Sequence, residues 1–236
     1  MRRPGEGLRR GGDSLQYRER LRAIKEETIE HALVSAYWLF LEKGIDTVSL
    51  ADVAKAAEIA PTSLYRYFGN KLNLVLQCGT LFWKQTMMVN NPVRSVPDYA
   101  QKTGYEQTVL LMESFVRAYC EYPQHLRFLR NFDLYLERAQ VPREALGEYD
   151  AALSGWKQIA KDALEHGQRD GTLRTDIDFV QIYYAVTHAL LVLAERLACQ
   201  PVLLDSDLEL PPEEQLETIV RMAAEYIRVH CAAGGC

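Results

Sequence analysis

An all-α fold is predicted for this chain of 236 residues by three observations. Apolar residues recur at three- and four-residue spacing over long stretches, proline and glycine stand between those stretches rather than inside them, and no run alternates strictly as a strand would. There is no internal repeat. The pattern separates a flexible basic arm (residues 1–14), a first domain of three helices with a helix-turn-helix (15–75) and a larger helical domain (76–236).

In the arm, Arg2, Arg3, Arg9 and Arg10 stand among glycines; such a segment either follows a nucleic-acid groove or is solvated. From Leu15 to Lys43 a helix is expected, with Ile29, Ala32, Leu33, Ala36, Tyr37, Phe40 and Leu41 as its buried stripe and Gly44 as its stop. Ser49 can cap the next helix, with Asp52 three residues on reaching back in a capping box. Leu50, Val53, Ala54 and Ala57 then lie on one face. Pro61 opens a third helix with a pre-set φ, and the amide dipoles there favour an anion such as a phosphate.

About 100° per residue separates the sides of this third helix: Leu64 and Phe68 on one, Thr62, Ser63 and Arg66 on the other, Tyr65 and Tyr67 flanking. The apolar side docks, leaving hydroxyls, a guanidinium and phenols to meet base edges and phosphate oxygens of double-stranded DNA, with Lys71 at the start of the next helix. Ser49, Pro61, Thr62, Ser63, Tyr65, Arg66, Tyr67 and Lys71 are therefore the candidate DNA-binding residues.

These residues resemble the TetR family of bacterial transcriptional regulators. Gly44, Ser49, Asp52, Val53, Ala54, Ala56, Ala57, Ile59, Leu64, Tyr65, Tyr67, Phe68 and Lys71 match that family's run over about residues 29–75. Two positions depart from it. Glu58 stands where glycine is usual, and a left-handed conformation there is expected to cost about 1 kcal/mol. Ala60 stands where a hydroxyl cap is usual, worth about 1 kcal/mol.

After Lys71 a helix is expected to about Val89, then a loop over 90–103, then helices near 104–121, 123–138, 142–169, 176–199 and 212–231, with the domain boundary inside the helix before the loop. The 176–199 segment is apolar on nearly all sides, which predicts burial on two fronts. Gln181, Thr187, His188, Glu195 and Arg196 interrupt it, against a membrane span. The resemblance implies that the last two long helices form a homodimer interface. It also implies an effector cavity in the second domain, for which Trp83, Met112, Phe115, Tyr119, Phe128, Phe132, Trp156, Tyr184 and His188 are the candidate ligand-binding residues.

With a net charge of −5, the chain is unsuited to indiscriminate nucleic-acid binding, but the charge is uneven. Residues 1–75 hold 12 basic and 10 acidic groups (+2), the remainder 15 and 22 (−7). One end is thus fitted to DNA. Cys78, Cys120, Cys199, Cys231 and Cys236 form no CxxC pair and are expected as reduced, mostly structural thiols. No apolar segment follows the basic N-terminus, so a cytoplasmic location is expected.

No Walker loop, HExxH, GxSxG or Rossmann glycine pattern is present, and the five histidines lack metal-ligand spacing; no catalytic residue, metal or cofactor is assigned. The resulting expectation is a dimeric repressor that binds a palindromic operator and is released by a small apolar or aromatic effector. A helical adaptor for a protein partner, or an enzyme without recognisable motifs, are the alternatives.

Overall fold

The computed structural model describes residues 10–86, 91–199 and 209–229, which form two compact units, 1–78 and 79–236. Of the arm, residues 1–9 lie outside the described residues; helix α1 (Arg10–Lys43) starts five residues before the expected Leu15. The good helix formers from Leu15 to Arg20 carry the helix back across Gly11 and Gly12.

In the first unit, Ala32, Ala36, Tyr37 and Phe40 of α1 are buried, whereas Ile29, Leu33 and Leu41 at the edges of the stripe are half-buried. Gly44 ends α1 at φ 81°, its N–H donating to the Phe40 carbonyl at 3.0 Å. Helix α2 (Leu50–Ala56) opens on the predicted box: Ser49 Oγ accepts from Asp52 N at 3.2 Å, and Asp52 Oδ2 accepts from Ser49 N at 2.9 Å. Those bonds from Ser49 hold the Asp52 carboxyl below its usual range. Helix α3 (Pro61–Phe68) buries Leu64 and Phe68, and α4 (Lys71–Leu81) buries Leu74 and Val75. Buried Cys78 donates its thiol to the Leu33 carbonyl, linking α4 to α1.

Glu58, in the turn between α2 and α3, has φ 54°, the left-handed conformation its position requires. Its side chain is exposed, so nothing in the fold rewards it for the strain. Glu58→Gly is expected to slow hydrogen exchange of the α2 and α3 amides in proportion to about 0.5–1 kcal/mol of added stability. Unchanged or faster exchange would show that the turn is relaxed as it stands. Ala60 caps α3 without a side-chain bond, as its residue type dictates.

In the second unit, α4 continues into a π-helical turn, Phe82–Thr86, instead of running unbroken to Val89; residues 87–90 lie outside the described residues. Next come α5 (Pro92–Ser95), α6 (Gly104–Glu121), α7 (Pro123–Arg138), α8 (Gly147–Arg169), α9 (Phe179–Cys199) and α10 (Pro212–Ile227). Helix α6 is central, packing against α7, α8, α9 and α10. Its start carries a second capping box, Thr103 with Glu106, and Gly104 N also donates to Asp170 at 2.8 Å.

Three boundaries shift for local reasons. The 142–169 segment begins with a 3₁₀ turn, Arg143–Leu146, before α8. Helix α9 starts at Phe179 rather than 176, because the Asp178 carboxylate accepts from Gln181 N at 2.8 Å and caps it there. Helix α10 stops at Ile227, since Arg228 turns extended to form an antiparallel bridge with Leu173. No named strand occurs among the described residues.

By length and composition α9 could cross a membrane, but it packs on α6, α7, α8 and α10. It is not buried on two fronts within one chain: Leu190, Ala194, Glu195 and Leu197 face inward, whereas Val180, Tyr184 and Val192 (57%) are exposed. Glu195 is 3% exposed, and burial first, then the neighbouring Asp133, push its carboxyl up to about 7 while Arg130 opposes. The folded protein therefore keeps a proton that the unfolded chain releases near the ordinary value of 4.5. The contribution of Glu195 to stability falls as pH rises from about 4.5 to 7 and is flat above that window. In urea unfolding, Glu195→Gln is expected to gain about 1–3 kcal/mol over wild type at pH 8 and little at pH 4.5. Equal gains at both pH values would contradict the assignment.

Candidate nucleic-acid interface and effector cavity

Packing of Leu64 and Phe68 against the first unit's core decides which way α3 faces. Pro61, Thr62, Tyr65 (55%) and Arg66 are exposed, and Ser63 and Tyr67 are half-buried. Arg66 Nη2 donates to Tyr67 Oη at 3.2 Å, and its guanidinium carbon lies 5.1 Å from the Tyr67 ring centroid. The phenol thus steadies an exposed arginine on the same helix as the exposed Tyr65.

Two of the predicted residues are occupied differently. The Ser49 hydroxyl is committed to its cap, so its part is to fix the start of α2 rather than to reach a ligand. Lys71 is half-buried, and its Nζ donates to the Asp46 carbonyl at 3.2 Å, clamping the α1–α2 loop to the first turn of α4. Burial lowers the Lys71 ammonium from its usual value, with Asp46 opposing. That clamp, and the Asn70 carboxamide that caps α4 by accepting from Asn73 N at 2.9 Å, escaped sequence reasoning. The clamp joins residues 25 apart, which no periodicity signals.

In the second unit a cavity of about 360 Å³ lies among the π turn, α6, α8 and α9, lined by aromatic and polar side chains. It brings together Trp83, Phe115, Trp156, Tyr184 and His188; Phe115 and Trp156 also line an adjoining apolar cleft of about 50 Å³ that contains Met112. Trp83 Nε1 donates to Tyr149 Oη at 3.0 Å, which fixes the indole at the cavity wall.

Three predicted lining residues are elsewhere. Phe128 and Phe132 are fully buried core, stacked on each other at 6.0 Å, with Phe132 also against Tyr149. Tyr119 lies half-buried on α6 outside both spaces. An aromatic on an apolar helix face fits core and cavity equally, and only the packing distinguishes them. Tyr183 and Lys157, both at the cavity, were missed. The row Asp150, Leu153, Ser154, Lys157 at i, i+3, i+4, i+7 was the available signal, since it lays a polar strip along one face of α8.

Of the cysteines, Cys78 is buried, Cys199 half-buried and Cys120 exposed, all free; Cys231 and Cys236 lie outside the described residues. Cys120 is free but not among the buried thiols. Partial desolvation of the sulfur by its neighbours, and then the carboxylate of Glu213, push its thiol up to about 11, away from thiolate reactivity.

A small helical unit with an outward polar helix is thus followed in the chain by a larger helical unit that holds a cavity. Residues 32–78 match the family described as bacterial regulatory proteins, tetR family. An uncharacterized HTH-type transcriptional regulator of Haemophilus influenzae is 42% identical over 59 residues, 24% of this chain and 29% of the relative, so the match spans under a third of that protein. Over most of the chain the fold is similar to that of the transcriptional regulator FadR from Bacillus subtilis, solved with stearoyl-CoA (16% identity, 84% of this chain and 99% of the other, TM-score 0.61). It is also similar to a protein from Saccharomonospora viridis described as a transcriptional regulator and solved with choline (16%, 87% and 100%, TM-score 0.66). Residues 32–78 are thus similar to the TetR family of bacterial regulatory proteins, and the chain has the all-helical fold of the solved regulators.

Proposed function

We propose that this protein is a ligand-responsive transcriptional repressor that binds a palindromic operator as a dimer and is released by a small effector held in the second unit. The observation that carries the reading is the outward polar side of α3, with Thr62, Tyr65 and Arg66 free of the core while Leu64 and Phe68 anchor the helix. Dimerisation through α9 and α10 is supported by the apolar side chains these helices leave exposed, Val180, Tyr184 and Val192 on one, Met222 and Tyr226 on the other. Two such reading helices meet successive major-groove faces about 34–36 Å apart.

Coupling runs along the chain itself. Trp83 lines the cavity, follows α4 directly in the π turn, and α4 begins at Lys71 with its clamp on the loop before α2. An effector that favours a different setting of Trp83 needs only about 1–3 kcal/mol of differential binding to change operator affinity 5- to 150-fold. The neighbours solved with stearoyl-CoA and choline hold unlike molecules, so the fold does not choose the effector.

The test is the salt dependence of duplex DNA binding followed by fluorescence anisotropy. Phosphate contacts predict a fall in log K against log salt with a slope of about −0.9 for each one. A flat response, or no binding at low salt, would favour the adaptor reading instead.

A further inference from the structure

We infer that the effector cavity takes a small aromatic monocarboxylate, its anionic group held by Lys157 and its flat body lying among the surrounding rings; this deepens the function proposed above and rests on it. Lys157 projects from the middle of α8 into the cavity, half-buried. Its ammonium donates to Tyr184 Oη at 3.1 Å and lies 4.8 Å from the Tyr184 ring centroid and 5.9 Å from that of Tyr183. Among the described residues it forms no ion pair. Lysine is seldom withdrawn from water without a carboxylate, so a half-buried cation lacking one leaves a place for an anion.

The carboxylate in the lining, Asp150, does not fill that place. It is exposed in the first turn of α8, where the helix dipole stabilises it, and seven residues separate it from Lys157, about 10 Å along the axis. Two of the other polar groups are already engaged: the Thr187 hydroxyl donates to the Tyr183 carbonyl at 2.6 Å, and the Trp83 N–H is taken by Tyr149; Ser154 and His188, the latter 5.3 Å from the Tyr184 ring between centroids, complete the polar lining around Lys157.

One lysine, with no arginine among the lining residues, suits a single negative charge rather than a phosphate dianion. The walls suit a planar body, with Phe115, Trp156 and Tyr183 shared between the cavity and the apolar cleft beyond, whose 50 Å³ admits a small alkyl substituent. At 360 Å³ the main space is at the small end of ligand sites, which run about 300–1,000 Å³.

Calorimetric titration of the full chain with benzoate, phenylacetate and 4-ethylbenzoate, each beside its neutral amide and the matching benzylamine, tests the assignment. The carboxylates are expected to bind at least about tenfold tighter than their amides, and the amines weakest. Lys157→Gln is expected to erase the preference for carboxylate over amide, and Lys157→Arg, which keeps the charge, to retain it within a few-fold. Amides or amines binding as tightly as carboxylates, a preference that survives Lys157→Gln, or no carboxylate binding below about 10 mM, would overturn the inference. Carboxylate binding that leaves DNA affinity unchanged would uphold the site and reject effector release.

Discussion

Gly104→Ala is expected to destabilise the second unit by about 3 kcal/mol, because a Cβ there would lie 1.9 Å from the Gly167 nitrogen and 2.2 Å from its Cα. Both atoms are backbone, so no rotamer change relieves the clash. Helices α6 and α8 touch at this pair of glycines, and Gly167 is itself pressed by Leu173, whose side chain would lie 2.5 Å from a Cβ placed there. Prising the helices apart also moves Met112 and Phe115 of α6 away from Trp156 of α8, so ligand affinity should fall together with stability. Gly155→Ala serves as the comparison: it sits on α8 with nothing within 4 Å of the added carbon and should stabilise by about 0.5–1 kcal/mol. Urea unfolding midpoints read both. Equal effects from the two alanines would mean that α6 and α8 are not in contact at this point.

The second large effect is on DNA. Arg66→Ala is expected to weaken operator binding by about 1–3 kcal/mol for each copy in the complex and to relax discrimination at one base pair per half-site. Thr62→Ala should relax discrimination at a neighbouring base pair. Lys71→Ala should weaken all duplexes about equally, and the Asp46 clamp adds a further expectation: loss of stability in the first unit without any change in sequence preference. Binding to selected and scrambled duplexes separates the two behaviours. Uniform losses from all three substitutions would reject the division between reading and positioning.

How much of this was legible beforehand depended on the range of each interaction. The Ser49–Asp52 box, the strained Glu58, the uncapped Ala60 and the inward Leu64 and Phe68 all rest on contacts within one or two turns, and each is found as spacing predicts. The Lys71–Asp46 clamp and the Gly104–Gly167 crossing join distant parts of the chain and leave no periodic mark. The cavity falls between these cases. Its helices were evident, but α9 is apolar on nearly every side, so Tyr183 could not be told from its neighbours, and Phe128 and Phe132 were as eligible as Phe115. Lys157 was the sharper mark, a charge directly after the buried Trp156.

Selection of bound fragments from random duplex DNA, performed side by side with the wild-type chain and with Arg66→Ala, addresses the role of α3 most directly. Wild type should enrich a palindrome whose half-site centres lie about one helical turn, or a multiple of it, apart, and Arg66→Ala should enrich the same palindrome with one position in each half blurred. Enrichment of no sequence by the wild type, or an identical sequence preference from both proteins, would contradict it.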